Sequence, residues 1–163
     1  MIIEDKKKAL RFFQYGMFIL TAKAQHDFQG SPYAASTVTW VSQASFEPPL
    51  IMLGLRKDSW ANEAVRQTDS FALNILSEDQ KSIAGKFFKN IEVNGQMING
   101  YSFDTDQSGA PILDEAQAYI ECTVTDRIER GDHSIIVASI INAKVRRDFK
   151  PILLRDTGWN YGG

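Results

Sequence analysis

STVTWVSQASFEPPL, residues 36–50, alternates small or hydroxyl-bearing side chains with β-branched and aromatic ones and ends at two prolines. Such alternation is typical of a β-strand, because β-branched residues and Trp40 suit a pleated sheet. The overlapping run PPLIMLGL, residues 48–55, is nearly continuous in apolar residues and short enough for a buried strand. We therefore predict two strands that flank the proline pair.

The neighbouring stretches add helices and one further strand. Residues 4–14 predict a short helix, and GMFILTAK at 16–23 predicts a strand. A Gly-Ser-Pro turn separates that strand from the opening stretch. RKDSWANEAVRQTDS at 56–70 predicts a helix that begins at Asp58 or Ser59, because both residue types cap helix N-termini.

The second half of the chain combines one capped helix with β-rich runs. FALNIL at 71–76 predicts a strand, and Ser77 with Gln80 has the capping-box spacing of a following helix. NGQMINGYSF at 94–103 predicts a loop or hairpin because of its two Asn-Gly pairs. AQAYIECTVTDRI and HSIIVASIINAKV, within 116–145, are separated by a polar turn and predict a hairpin or two neighbouring strands.

Length and element content together indicate the fold class. The chain of 163 residues, 44% of them hydrophobic, suits one domain with its own core, and no repeat or linker interrupts it. Several long strands with a few short helices indicate a mainly β protein, a closed or split barrel rather than a doubly wound sheet. We therefore predict a single domain over residues 1–163.

Charge and cysteine content argue against several classes of function. The 18 Lys and Arg and 20 Asp and Glu give a net charge of -2, so the composition indicates no nucleic-acid and no membrane partner. The single Cys122 excludes an intramolecular disulfide, and the two histidines form no metal-ligand pattern. The charged N-terminus MIIEDKKKAL and the lack of a long apolar run predict a cytoplasmic protein.

The polar residues suggest a site for a flat, phosphorylated ligand. The sequence contains no Rossmann, P-loop or hydrolase-elbow motif. Hydroxyls and amides of residues 36–45 provide donors and acceptors for the edge of a polar ring. A helix that begins near Ser59 offers free N–H groups and the positive end of its dipole to a phosphate, with Lys57 beside it. Flavin mononucleotide (FMN) has a shape that would suit both segments.

Several segments resemble the flavin reductase-like family of FMN-binding split barrels. WVSQASFEPPL at 40–50 and GDHSIIVASI at 131–140 are especially similar to the flavin reductase-like modules of flavodiiron proteins. RKDS, FALNIL, DQKSIAGKFF and AYIECTV occur in the expected order, so the resemblance covers roughly residues 10 to 147. It implies a mainly β, Greek-key split β-barrel with short helices that binds FMN, with FAD as the alternative cofactor.

The resemblance also implies which residues form the site. The segment from Thr37 to Ser45 corresponds to residues that contact the flavin ring and ribityl chain, and the loop from Lys57 to Asn62 to residues that reach the phosphate. His133 corresponds to a histidine near the flavin or nicotinamide and is the candidate catalytic residue. The candidate cofactor-binding residues are Thr37, Val38, Thr39, Trp40, Ser42, Gln43, Ala44, Ser45, Lys57, Ser59 and Asn62.

The implied function is an NAD(P)H-dependent flavin reductase, which transfers hydride from nicotinamide to flavin N5 and passes electrons to a further acceptor. One alternative is an FMN electron carrier that serves a separate redox partner protein, and another is a flavin-binding protein without turnover. Either NADH or NADPH is compatible with the sequence as electron donor. The resemblance implies a homodimer with the flavin near the interface. The aromatic tail LLRDTGWNYGG, residues 153–163, is expected to fold across a flavin or a dimer partner.

The candidate residues also have structural interpretations. The hydroxyls of residues 36–45 are also consistent with the solvent face of an amphipathic strand, Ser59 with a helix cap, and His133 with a hydrogen-bonding turn residue. Trp40, one of the candidate cofactor-binding residues, is also interpreted as a packing residue. Three further residues are interpreted as packing, inert or supporting groups: Trp159, Cys122 and Asn74.

Overall fold

The computed structural model describes residues 2–163. Its strands are β1 (Phe18–Phe28), β2 (Ser31–Val38), β3 (Val41–Ser45), β4 (Leu50–Arg56), β5 (Ser70–Ile75), β6 (Val93–Asn94), β7 (Met97–Ile98), β8 (Tyr101–Thr105), β9 (Pro111–Leu113), β10 (Ala118–Ile128) and β11 (His133–Val145). The helices are α1 (Ile3–Arg11), α2 (Trp60–Thr68) and α3 (Lys81–Lys86), with short 3-10 helices at Glu78–Gln80 and Leu154–Asp156.

The main sheet has seven strands in the order β2-β1-β5-β10-β11-β4-β3, and all its neighbouring strands are antiparallel. Its edge strands β2 and β3 are consecutive in the chain, with only Thr39 and Trp40 between them. Because two residues span only a few ångströms, the two edges must meet there and the sheet must curl. Neighbouring strands that are distant in sequence, such as β5 and β10, are typical of Greek-key barrels. The prediction of a mainly β barrel is therefore confirmed.

The opening stretch is two strands rather than one, because the chain changes barrel edge within it. β2 ends at Val38 and β3 begins at Val41, whose N–H donates to the Thr39 carbonyl at 3.0 Å. The Gly54 N–H donates to the Trp40 carbonyl at 2.9 Å. A Cβ at Gly54 would lie 3.0 Å from the Trp40 ring, so glycine lets the indole pack across β4.

The predicted hairpin of the last third is confirmed by β10 and β11. These strands pair antiparallel up to Ile128 and Ile135, beside the turn. β11 also pairs with β4, which places His133 opposite Arg56. The turn before His133 therefore lies beside the end of β4 and the start of α2.

The core of the barrel contains alternate side chains of its strands. Phe71 and Leu73 of β5 are almost fully buried, as are Leu20 of β1 and Ile136 of β11. Cys122 lies in the same cluster with 0% exposure, and burial raises the pKa of its thiol to about 12. The predicted burial of Cys122 is confirmed, and the raised pKa of its thiol disfavours the reactive thiolate.

The helices follow the predicted caps. Ser59 is the N-cap of α2, and Ser77 with Gln80 forms the capping box before α3. α1 covers most of the predicted helix, but none of its residues is buried. Within residues 2–163, no helix combines the length and the apolar character that membrane crossing requires.

A second sheet of four short strands, β6 to β9, packs beside the barrel and includes the hairpin predicted from the Asn-Gly pairs. Asn74 joins the two sheets. Its Nδ2 donates to the Ile19 carbonyl and to Thr21 Oγ1, both at 3.1 Å, and its Oδ1 accepts from the Leu113 N–H at 2.8 Å. Asn74 is therefore a structural residue, as predicted.

Candidate functional site

A cavity of about 360 Å³, here called the main cavity, lies where the end of β2 faces the start of α2. Its volume falls within the range of about 300–1,000 Å³ that is typical of small-molecule sites. The lining residues are Met17, Ser36, Thr37, Val38, Thr39, Gly54, Leu55, Arg56, Ser59, Ala61, Phe88, Leu154, Trp159, Asn160 and Tyr161. The cavity thus brings together four predicted cofactor-binding residues, Thr37, Val38, Thr39 and Ser59.

Two threonines at the end of β2 differ in the use of their hydroxyls. Thr37 Oγ1 donates to the Ala84 carbonyl at 2.7 Å, and the Thr37 N–H donates to the Phe87 carbonyl at 3.1 Å, which ties β2 to α3. Thr39 is only 6% exposed, and within residues 2–163 its Oγ1 has no hydrogen-bond partner. A buried polar group without a partner costs about 1–3 kcal/mol. Thr39 therefore lines the main cavity and carries a buried, unpaired hydroxyl.

The N-terminus of α2 forms another part of the wall. Ser59 Oγ accepts from the Asn62 N–H at 3.1 Å and donates to the Arg56 carbonyl at 2.8 Å, so its capping role is confirmed. The first N–H groups of a helix, here those of Trp60 and Ala61, have no intrahelical partner. Together with the helix dipole they favour an anionic group at this end of the main cavity.

A second space of about 690 Å³, here called the adjoining cavity, continues beyond Ser59. It shares Ser36, Ser59, Ala61 and Phe88 with the main cavity. Its wall includes the stacked rings of Phe28 and Trp60, whose centroids are 4.8 Å apart. A ligand longer than the main cavity can therefore extend past the start of α2.

His133 lies in a separate outer pocket, formed by Trp40, Arg56, Lys57, Asp58, Asp132, His133, Tyr161 and Gly162. Its Nε2 is 2.7 Å from Tyr161 Oη, and its Nδ1 is 2.7 Å from Asp132 Oδ1. The Trp40 ring packs against His133 and Tyr161, at centroid distances of 4.4 and 5.2 Å. Tyr161 and Arg56 line both the main cavity and the outer pocket, and of these two residues Tyr161 is the one whose side chain bonds to His133.

Hydrogen bonds and burial set the charges of the outer pocket. Arg56 holds both carboxylate oxygens of Asp58, at 2.9 and 2.6 Å, and this contact lowers the pKa of Asp58. The hydrogen bond with His133 lowers the pKa of Asp132. Burial raises the pKa of Tyr161. At neutral pH the outer pocket therefore contains two carboxylates and a neutral phenol.

Two residues predicted to reach a phosphate have other partners. Lys57 Nζ lies 3.6 Å from Glu129 Oε2, in the direction of the outer pocket. Asn62 is 1% exposed, and its Nδ2 donates to the Arg56 carbonyl at 3.2 Å and to Ser134 Oγ at 2.8 Å. Neither residue lines the main cavity, and their phosphate role stays a prediction.

The later part of the predicted flavin segment lies outside the main cavity. Ser42 lines a shallow groove on the outer face of the barrel, whereas Gln43 and Ala44 are exposed and Ser45 is half-buried. The groove is formed by Phe13, Gln14, Tyr15, Trp40, Val41, Ser42, Met52, Leu53, Gly54 and Ile135. These positions follow the change of barrel edge at Thr39, which separates them from the end of β2. A flavin contact for residues 42–45 stays a prediction.

Several lining residues were not selected from the sequence, among them Arg56, Phe88 and Tyr161. Trp159 packs edge-on against Phe88 at a centroid distance of 4.6 Å, and a Cβ on Gly85 would lie 3.3 Å from its indole. This contact confirms its packing role. The signal for Trp159 and Tyr161 was the aromatic tail, which lies along the main cavity.

Comparison with known proteins identifies the family. Residues 10–161 match the model of the flavin reductase like domain. The chain is 35% identical over 144 residues to Diflavin flavoprotein A 1 of Synechocystis sp.. This match covers 88% of the chain but only 24% of that relative, so the chain spans about a quarter of the relative's length.

Solved structures of flavin reductases share the fold. The styrene monooxygenase flavin reductase of Pseudomonas putida has a TM-score of 0.75 and 24% identity, with 95% of this chain and 94% of that chain covered. The NADH:FAD oxidoreductase of Streptomyces globisporus, solved with NAD and FAD fragments, has a TM-score of 0.80 and 21% identity, with 99% and 94% covered. These likenesses confirm the predicted split barrel. With the domain model matched over residues 10–161, the chain belongs to the flavin reductase-like family.

Proposed function

We propose that this protein is a cytoplasmic, NAD(P)H-dependent flavin reductase that binds FMN in the main cavity. The observation that carries this proposal is the meeting of the unpaired Thr39 hydroxyl with the N-terminus of α2 at one cavity. A bound flavin would supply the hydride-accepting N5 atom, and a reduced nicotinamide would supply the hydride.

The wall of the main cavity suits a flat ring that carries a phosphate. Its inner side is formed by the buried side chains of Met17, Val38 and Leu55. Apolar lining with a few placed polar groups is typical of cofactor sites. The Thr39 hydroxyl would bind a polar ring edge or the ribityl chain, and the free N–H groups at the start of α2 would bind the phosphate.

The residues of the chain would bind and orient the two nucleotides and exclude water, because the reactive atoms belong to the nucleotides. Trp159 and Tyr161 of the tail would cover the side of the main cavity that faces solvent. Such a reaction requires no acid/base dyad between protein side chains, which agrees with the absence of a hydrolase motif from the sequence.

The adjoining cavity bears on the choice between FMN and FAD. It begins at Ser59, where the phosphate of FMN would lie, and would accommodate the adenylate part of FAD. We propose FMN because the main cavity alone suits its size. Chromatography of the flavin released from the purified protein tests this choice, and a predominance of FAD would overturn it.

Anaerobic reduction tests the proposed activity. We expect the purified protein to show a flavin spectrum that NADH or NADPH bleaches rapidly in the absence of oxygen. Bleaching by one nucleotide alone would identify the donor. A flavin-loaded protein that neither nucleotide bleaches would contradict the proposal.

A second candidate function is an FMN electron carrier that serves a separate redox partner protein. The observation that favours it is the similarity to diflavin flavoproteins, of which the chain spans only 24%. On this alternative, a reduced redox protein bleaches the flavin and nicotinamide nucleotides do not.

We further propose that the protein is a homodimer. The groove on the outer face of the barrel exposes Met52 and Ile135, which are 45% and 43% exposed. Burial of such side chains favours association. Sedimentation of Ile135→Glu tests the groove as the interface, with Ile141→Glu as the control on the same strand, 40% exposed and outside the groove. A dimer that survives Ile135→Glu would contradict this interface.

A further inference from the structure

Tyr161 connects the main cavity to the outer pocket. Like Arg56, it lines both spaces, whereas His133 lines only the outer pocket. A group in the main cavity would therefore meet the Tyr161 phenol before the His133 imidazole. His133 can act on a ligand in the main cavity through the Tyr161 hydroxyl.

Three side chains form a continuous hydrogen-bonded line from solvent to the main cavity. Asp132 Oδ1 is 2.7 Å from His133 Nδ1, and His133 Nε2 is 2.7 Å from Tyr161 Oη. The side chain of Asp132 is 96% exposed and that of His133 only 13%. The line therefore begins in water, crosses a largely covered imidazole and ends at the cavity wall.

Packing fixes the two rings of this line. The Trp40 indole contacts both His133 and Tyr161. A Cβ on Gly162 would lie 2.8 Å from the Trp40 ring, so the tail can pack against this ring only because residue 162 is glycine. The position of the Tyr161 phenol thus depends on the contact between the tail and Trp40.

The hydrogen bonds of this line can be arranged in two ways, one for neutral and one for protonated His133. When His133 is neutral, Nδ1–H donates to Asp132 and Nε2 accepts from the Tyr161 hydroxyl. When His133 is protonated, Nε2–H donates to Tyr161 Oη, because both ring nitrogens then carry a proton. The Tyr161 O–H is then free to donate into the main cavity.

We propose that Asp132, His133 and Tyr161 form a proton path that delivers a proton from solvent to a ligand in the main cavity. The step rests on the proposed function and moves no electrons, since the hydride comes from the reduced nicotinamide. The Tyr161 O–H bond breaks as a bond from hydrogen to the ligand forms. The His133 Nε2 proton replaces the lost proton on Tyr161 Oη. Nδ1 keeps its own proton, donated to Asp132, throughout, and neutral His133 regains its Nε2 proton from solvent before the next transfer.

The charges around His133 are consistent with this path. Arg56, opposite His133 in the sheet register, is held by Asp58, and Lys57 is paired with Glu129. Among the charged groups of the outer pocket, Asp132 makes the direct contact with the imidazole. Tyr161 is 40% exposed, and its partial burial raises the pKa of its phenol, so it keeps its proton at neutral pH, as a proton carrier of this kind requires.

Nuclear magnetic resonance of the flavin-free protein tests the geometry of the path. In Tyr161→Phe, which removes only the hydroxyl, we expect the ¹⁵N signal of His133 Nε2 to shift and that of Nδ1 to stay. An unchanged Nε2 signal would overturn the proposal. Tyr119→Phe is the control, because its hydroxyl bonds to Asp106 elsewhere, at 3.2 Å.

Flash photoreduction of the FMN-loaded protein tests proton delivery without a nicotinamide. The absorbance change that follows protonation of the reduced flavin should be at least tenfold slower in Tyr161→Phe, since positioned acid groups contribute about 10²–10⁴-fold. In the control Tyr119→Phe, both the FMN affinity and the rate of this absorbance change should match those of the wild type. An equal rate in Tyr161→Phe would overturn the path. Failure of NADH and NADPH to bleach the wild type would instead overturn the proposed function, and photoreduction would still decide the path.

Discussion

At Thr39, a residue in the wall of the main cavity, the chain buries a hydroxyl without a partner. Valine has nearly the same shape but no polar group to desolvate. We therefore expect Thr39→Val to raise the free energy of unfolding of the flavin-free protein by about 1 kcal/mol. FMN should bind roughly fivefold more weakly, because one hydrogen bond to the ligand is worth about 1 kcal/mol. Urea unfolding and flavin titration measure the two effects.

Thr21 provides the matched control for Thr39. It is also buried, but its Oγ1 donates to the Pro111 carbonyl at 2.5 Å and accepts from Asn74 Nδ2. Thr21→Val should therefore lower the free energy of unfolding by about 1–3 kcal/mol and leave FMN affinity unchanged. The account of Thr39 fails if Thr39→Val destabilises the flavin-free protein as much as Thr21→Val does.

The buried thiol of Cys122 makes stability depend on pH. Burial raises its pKa from 9.0 to about 12, so above pH 9 the unfolded chain loses a proton that the folded chain keeps. Cys122 therefore stabilises the fold below pH 9, and this stabilisation falls as pH rises toward 12, by about 1.4 kcal/mol per pH unit. The difference in unfolding free energy between wild type and Cys122→Ala should shrink accordingly between pH 9 and pH 11. If this difference in unfolding free energy stayed constant between pH 9 and pH 11, the raised pKa of Cys122 would be contradicted.

At the scale of the element, the start of α2 combines a cap with a proposed phosphate site. Aspartate caps a helix about as well as serine, so Ser59→Asp should keep the unfolding free energy within about 0.5 kcal/mol of the wild type. Its charge would repel a phosphate, and FMN affinity should fall at least tenfold, or about 1.4 kcal/mol. Ser59→Asn, which caps without charge, should retain FMN. Equal FMN affinity in the two variants would contradict a phosphate site at the start of α2.

Elements with strong local signals were predictable from the sequence. The capping box of Ser77 and Gln80 and the turn between β10 and β11 both depend on residues close in the chain. The division of residues 36–50 was not predictable, because β2 and β3 have the same alternating pattern. Which barrel edge each one occupies depends on strands far away in sequence.

In the candidate site too, contacts between residues far apart in the sequence were not predictable. Thr37, Val38 and Thr39 were expected in a ligand site and line the main cavity. The contact between His133 and Tyr161 spans 28 residues and follows no periodic pattern, so sequence reasoning selected the histidine and missed the phenol beside it.

At the scale of the whole molecule, the barrel explains why the cavity forms where it does. The end of β2 and the start of α2 meet because β4 leads directly into α2 beside the place where the chain changes barrel edge. The tail then closes one side through Trp159 and Tyr161. One end of the barrel therefore provides an apolar wall, an unpaired hydroxyl, a helix N-terminus and an aromatic cover.

The most direct test of the central claim is the visible spectrum of the flavin-loaded protein when NADH or NADPH is added without oxygen. The proposed flavin reductase predicts rapid bleaching by at least one of the two nucleotides. A yellow protein that neither nucleotide bleaches would favour the electron carrier, and a colourless protein that cannot be loaded with FMN would contradict both.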